Sequence, residues 1–425
     1  MAQTEVIDRI DGQVELPPLR LQVVVFIFVF LALVADGLDQ MLLAYSMQSL
    51  KTEFGLDNVQ VGSFASFTLV GMALGGMFSG WCCDRFGRVR TITWGIAVFS
   101  IFTASLGFTH HFWQFAVLRL IGAIGLGGVY SSCFILLSEY MPAKYRATIL
   151  GSAVTGYSLG FILAAFLAGQ IIPNHGWRPL FFITIIPIVL CLFLRRLIPE
   201  PPSYRLAREK LKAGGRKAQG QLEKSLFIEA LKDKKLRLVF FVWLVALCFG
   251  NFGYYGVSNW TPSYLEKELG MHFKSMTTYM IGSYFTMFLG KILTGIAADI
   301  VGRRWLNFAA ALGTAGFLFV ILKYHTAENI VYLLLAFGFV YGMTIGALGT
   351  YISESFPTKI RGIAVGIAYN FGRFGGAVAP VVIGAIANGW SIGMGMFTIC
   401  AAYIIVATLL AVFVRDRMYD PQREA

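Results

Sequence analysis

The sequence predicts an all-α membrane protein in which twelve transmembrane helices form two pseudo-symmetric six-helix bundles. Three observations carry this. Of 425 residues, 57% are hydrophobic and 14% charged, with a mean hydropathy of +0.68, where soluble domains hold roughly 45–50% apolar and ~25% charged residues. The apolar runs recur through both halves with no soluble block between them. Separated segments of the two halves also match at a single offset of 215 residues.

Each span is an apolar run of about 20 residues, the length a helix needs to cross roughly 30 Å of hydrocarbon. The first, 21–46, follows a polar, acidic stretch ending at Pro17-Pro18. It is too long for a signal-peptide core and has no small-residue cleavage site, so it is retained as a span. The second and third, 59–81 and 91–109, flank the loop GWCCDRFGRVR. The fourth, 112–136, carries RLIGAIGLGG; the fifth and sixth, 148–171 and 177–197, complete the first half. The second half repeats the plan at 238–262, 276–298, 305–323, 329–352, 362–387 and 391–413. The resulting organisation is a tail (1–20), a six-helix bundle (21–197), a linker (198–237), a second bundle (238–413) and a tail (414–425). From Arg195 to Arg237 the connection holds thirteen basic and five acidic residues, and its centre, KAGGRKAQGQ, has the composition of a flexible segment.

An even number of spans puts both ends of the chain on one side. The tails and loops of that side hold 27 Lys and Arg, the opposite loops hold five, and three (Arg119, Lys291, Arg373) sit within spans. The rule that basic loops stay inside makes the termini cytoplasmic, in what reads as a bacterial inner membrane. It also accounts for the net charge of +12, because the basic residues are dispersed among loops; nucleic acid is not the partner. Six cysteines lie in or at the ends of apolar runs without metal-ligand spacing. No cofactor, metal site, Walker sequence or catalytic constellation is expected, so the chain is not an enzyme and any transport is driven by gradients. The five histidines all fall near outer ends of spans, which leaves carboxylates to carry any proton.

The repeat aligns GWCCDRFGRVR (Gly80 to Arg90) with GIAADIVGRRW (Gly295 to Trp305), SEYMPAKYRATILG (from Ser138) with SESFPTKIRGIAVG (from Ser353), and EFGL at Glu53 with ELGM at Glu268. A period this long implies two bundles related by an axis along the membrane normal. On these residues the chain resembles the major facilitator superfamily, whose loop signature is similar to GxxxDRxGRxR and whose fourth-span motif is similar to RLIGAIGLGG. The resemblance implies a gating role for Asp84 and Arg88, with Asp299 and Arg303 as the second copy. Arg85, Glu139, Arg146, Glu354 and Arg361 complete the candidate gate. Loop topology alone also explains the arginines.

Charges inside the spans need more explanation, since burying one costs at least about 2.5 kcal/mol. Asp36 and Asp39 in FLALVADGLDQMLLAYSM are three residues apart and project from similar faces of one helix. Two carboxylates in a poorly hydrated site beside the Arg119 cation make a site that can exchange a proton; a permanent ion pair between one aspartate and Arg119 is the alternative. At about 1.5 Å per residue, Asp39 and Arg119 both lie roughly 10 Å from the outer ends of their spans. The glycines around Arg119 also suit plain helix packing. Arg373, in YNFGRFGGAVAP, has Ser158 at the matching place in the first half, so the repeat does not account for it. Its planar fork fits a carboxylate in two parallel hydrogen bonds, as Lys would not; pairing with a first-span aspartate is the alternative. Lys291 reads as a snorkelling or gate residue.

DGLD in the first span and GRFGGAVAP in the eleventh resemble the aromatic acid/proton symporters, which implies import of a benzoate-, hydroxybenzoate- or muconate-type anion, most simply by a monomer. IPEPPSYR is similar to the sugar-porter signature, and a carrier of a non-aromatic acid, sialate or sugar, or a membrane ligand sensor, remains the alternative. The expected mechanism holds the substrate carboxylate on Arg373 and a proton on Asp36 or Asp39. Tyr45, Gln48, Asn251, Tyr254, Tyr255 and Asn370 are the candidate cavity wall, ordinary packing being the competing role of each.

Overall fold

The computed structural model describes residues 18–142, 146–201, 230–416 and 418–419. Among them twelve helices are long and apolar enough to cross a membrane. They are α1 (Leu19–Phe54), α2 (Asn58–Phe86), α3 (Arg88–Ser105), α4 (Phe112–Tyr140), α5 (Arg146–His175), α6 (Arg178–Arg195), α7 (Lys234–Lys267), α8 (Phe273–Val301), α9 (Arg303–Tyr324), α10 (Ile330–Ser353), α11 (Thr358–Gly389) and α12 (Ile392–Phe413). α6 is broken into Arg178–Phe182, a 3₁₀ turn at Ile183–Ile185 and Ile186–Arg195. The twelve-helix count agrees with the sequence, but several helices outrun their apolar cores. α1 continues to Phe54, well past the expected end at Ser46, because polar residues extend a helix once it leaves the hydrocarbon. Of the linker, 202–229, including its Gly-rich centre, lies outside the described residues.

The face where α1 starts is here the terminal face, and the opposite one the far face. Two turns show how alike the halves are. α2 and α3 are separated by Gly87 alone (φ 106°), and α8 and α9 by Gly302 alone (φ 89°), a backbone region that side chains with a Cβ rarely enter. In each case a carboxylate from beyond the last helix of that half covers the new helix start. Glu200 accepts from the backbone N–H groups of Val89 (3.2 Å) and Arg90 (2.9 Å), and Asp416 from that of Arg304 (2.6 Å). Negative charge at a helix N-terminus satisfies donors that have no partner within the helix. On the far face the repeat works again. Glu53 accepts from Trp177 Nε1 (2.7 Å) and pairs with Arg178 (2.5 Å), while Glu268, 215 residues on, accepts from the backbone N–H groups of Ile392 and Gly393. Each half is thus laced at both faces.

The cores are distributed unevenly. On the far side one apolar cluster runs through both halves, from Leu38, Met41 and Phe64 across to Trp260, Met280, Tyr284 and Ile383. Toward the terminal face there are two clusters, one around Val29, Ile92 and Leu136 of the first half and one around Trp243, Tyr351 and Ile360 of the second. The far-side closure is a backbone contact as much as a side-chain one. Gly384 of α11 sits against the carbonyl of Asn58 on α2, whose N–H donates to Asn388 Oδ1 at 3.0 Å. Tyr284 donates to Met41 Sδ (3.0 Å) on the other flank. Among the described residues, apolar surface is therefore sealed across the halves at the far face and not at the terminal face.

Candidate functional site

The intramembrane charges gather where the far-side core ends. Arg119 Nη1 meets Asp39 Oδ1 at 2.6 Å, with side chains only 2% exposed on both partners. Its Nε donates to Thr68 Oγ1 at 2.8 Å. One face of the guanidinium is therefore fixed by α1 and another by α2. This is the ion pair anticipated as the alternative for one aspartate, and it leaves the other with different company. Asp36 is 1% exposed and its Oδ1 lies 3.3 Å from the Tyr157 hydroxyl, which in turn donates to Gln40 Oε1 at 2.8 Å. Its Oδ2 is buried without a hydrogen-bond partner among the described residues. Tyr157 reaches this place because Gly37 and Gly160 allow α1 and α5 to touch through their backbones.

A hydroxyl carries one proton. Tyr157 points its own at two acceptors, the nearer on Gln40 and the farther on Asp36, so the Asp36 contact is the weaker of the two. The chain Asp36, Tyr157, Gln40 is consistent with a protonated Asp36, whereas Asp39 is held by a cation. The space between the two aspartates, Thr68, Arg119 and Tyr255 is about 10 Å³, room for at most one water.

Arg373 is 8% exposed and donates from Nη1 to the main-chain carbonyl of Met72 at 3.0 Å, across the junction of α11 with α2. Among the described residues it makes no ion pair with either aspartate. Gly76 lets it in: a Cβ there would come within 2.9 Å of Nη1. Lys291, expected to snorkel or gate, instead turns its Nζ to Ser158 Oγ at 3.2 Å, across the junction of α8 with α5.

The other expected wall residues divide. Tyr254 and Tyr255 stand at the central layer, edge to face at 5.0 Å, and Tyr254 stacks on Tyr341 at 6.2 Å. Asn251 and Asn370 spend their amides on carbonyls of their own helices, Leu247 and Gly366. Tyr45 lies in the far-side core, 1% exposed, and Gln48 lines a depression of about 580 Å³ in the far face. Both lie toward the far face, Tyr45 at the outer end of the expected span 21–46 and Gln48 on the part of α1 that runs beyond it. Of the candidate gate, Arg88 pairs with Glu139 (3.2 Å) and Arg303 with Glu354 (3.1 Å), each within its own half. Arg361 donates to the carbonyls of Phe356 and Tyr419, and Arg85 stacks on Trp81. The side chains of Asp84, Arg146 and Asp299 lie outside the described residues.

Sequence reasoning missed Tyr157, Gln40, Thr68 and Ser158. Nothing local marks a tyrosine in an apolar helix, but Ser158 is the residue that the 215-residue offset returns for Arg373.

Comparison with known proteins gives this geometry a context. The profile of the Major Facilitator Superfamily matches residues 29–290 and 275–425. A cis,cis-muconate transport protein of Acinetobacter baylyi is 49% identical over 400 residues, covering 94% of this chain and 96% of its own. A sialic acid transporter of Escherichia coli is 28% identical over 90% of this chain and 92% of its own, and a gentisate transporter of Corynebacterium glutamicum 27% over 89% and 85%. Among solved structures, a D-xylose–proton symporter superposes with a TM-score of 0.77 at 22% identity, covering 93% of this chain and 98% of that one; at that identity the likeness concerns the fold.

Proposed function

We propose that this chain, which belongs to the Major Facilitator Superfamily, is a proton-coupled symporter that imports an aromatic or related organic acid anion of the benzoate, hydroxybenzoate or muconate type. The reading places it as a monomer in a bacterial inner membrane with both termini cytoplasmic, as the basic loops favour. The relatives that carry muconate and gentisate support the substrate class. The observation that carries proton coupling is the Asp36 carboxyl, buried, with one oxygen 3.3 Å from a tyrosine hydroxyl that sits closer to Gln40, the other oxygen without a hydrogen-bond partner, and no ion-paired cation among the described residues.

In this mechanism Asp36 takes a proton from the far side when that face is open, and the cargo carboxylate docks on the Arg373 guanidinium, displacing the Met72 carbonyl. Tyr254 and Tyr255 supply flat apolar faces to a conjugated anion. Neutralising Asp36 removes part of the cost of enclosing an anion as the far-side core closes. Proton and cargo then leave toward the terminal face, where the two halves have separate cores. Asp39 stays with Arg119 and keeps α1, α2 and α4 in register.

The test is uptake by proteoliposomes under an imposed pH gradient, with aromatic acids, muconate, lactate, sialate and sugars compared. Accumulation of an aromatic or muconate-type acid that collapses with the gradient is expected. Uptake confined to sugars or sialate, or uptake indifferent to the gradient, would overturn the reading.

A further inference from the structure

We propose that Lys291 is a second anion anchor and that the cargo is a dicarboxylate held between Lys291 and Arg373, one carboxylate on each. The inference rests on the carrier reading above and deepens it.

Its starting point is a relation between two contacts. Arg373 sits against Gly76 at the junction of α11 with α2, and Lys291 against Ser158 at the junction of α8 with α5. The repeat offset of 215 converts Gly76 into Lys291 and Ser158 into Arg373. The two junctions are thus pseudo-symmetric equivalents, and at both the second half contributes a long cation while the first half contributes a small residue. Pseudo-symmetry sets the cations on opposite sides of the central axis. Counted along their helices at about 1.5 Å per residue, Lys291 lies ~15 Å and Arg373 ~22 Å above the terminal-face ends, about one helical turn apart in depth.

Neither cation has the company a charge inside a membrane span ordinarily keeps. A lysine so far inside the span would snorkel toward the nearer face if its role were only to escape hydrocarbon. Its ammonium instead faces inward to a fully buried serine of the other half. Among the described residues no carboxylate lies within ion-pair distance of Lys291 or Arg373; each rests on one neutral oxygen, that of Ser158 or of Met72. The aspartates do not balance them, since Asp39 is committed to Arg119 and a protonated Asp36 is neutral. The loaded layer then carries two uncompensated positive charges. A monocarboxylate offsets one, and a dicarboxylate both. Because an uncompensated charge in a poorly solvated site is costly, occlusion of the dianion is favoured.

Both oxygens that hold the cations belong to the first half, so a dianion replacing them is held by the second half and releases two contacts between the halves. Serine also offers Lys291 a weak partner, which a carboxylate outcompetes through a charge-assisted bond.

The experiment compares trans,trans-muconate with sorbate, which has the same trans,trans six-carbon diene chain but a single carboxylate, by binding to the purified protein and by counterflow in proteoliposomes. We expect the wild type to bind muconate at least about tenfold more tightly than sorbate, in keeping with one added charge-assisted contact. Lys291→Gln should abolish that preference by weakening muconate alone, and Lys291→Arg should restore most of it. Equal affinity of the wild type for both acids, or an equal loss of both in Lys291→Gln, would overturn the proposal while leaving an organic-anion carrier intact. If the wild type takes up no organic acid of the panel, the carrier reading itself fails. The wild-type comparison needs no variant to fold, and the Arg variant separates charge from packing.

Discussion

Arg119 and Asp39, from helices four and one, meet at 2.6 Å with 2% of either side chain exposed. Removing one partner strands a buried charge, at a cost of about 3–5 kcal/mol, while removing both strands none. We expect Arg119→Gln or Asp39→Asn alone to lower the unfolding temperature in detergent sharply, and the two together to recover much of it. A double variant as unstable as the sum of the singles would show that the two residues do not serve each other.

Asp36→Asn imitates the protonated carboxyl permanently. Binding and counterflow of the cargo should persist within a few-fold, because the neutral form is the one the loaded state requires. Accumulation under an imposed pH gradient should vanish. Gradient-driven uptake at the wild-type level would remove Asp36 from the proton path.

Arg373→Lys keeps the charge but loses the flat fork that accepts a carboxylate through two parallel bonds. Anion affinity should fall by about an order of magnitude or more. Unchanged affinity, read by titration calorimetry, would make Arg373 a structural bridge to the Met72 carbonyl.

Gly384 packs against the main-chain carbonyl of Asn58, and backbone cannot yield as a flexible side chain would. Gly384→Val should hold the far face apart. Transport should stop, and a cysteine placed at Gln48, in the far-face depression, should react faster with an impermeant maleimide. Wild-type labelling together with wild-type transport would mean that this contact does not seal the carrier.

Glu200 covers the exposed N–H groups at the start of α3. Glu200→Ala should cost about 1 kcal/mol, the usual worth of a helix cap. Hydrogen exchange at Val89 and Arg90 should quicken, and Asp416→Ala should do the same at Arg304. Unaltered exchange at these amides would show that water caps them as well.

The fold was legible because membrane spans are written in long apolar runs and because the halves repeat. What the runs could not reveal is where a helix continues beyond the hydrocarbon. That is how α1 carries Gln48 beyond the expected end at Ser46, while Tyr45 sits at the outer end of the expected span. The charged members of the site stood out against an apolar background, and Asp36, Asp39, Arg119 and Arg373 do share the central region. Their partners did not stand out. Tyr157, Gln40 and Thr68 are ordinary residues in amphipathic or apolar helices, chosen by the crossing of α1, α2 and α5 rather than by any local pattern. Lys291 was visible too, but the sequence could not say that Ser158 of α5 faces it.

The four carboxylates that lace the halves, Glu53 and Glu268 at one face and Glu200 and Asp416 at the other, all bond within their own half. These end contacts of each bundle are thereby separate from the surface between the bundles. In the proposed carrier, turnover can therefore be retuned between the bundles while the end contacts within each bundle stay as they are.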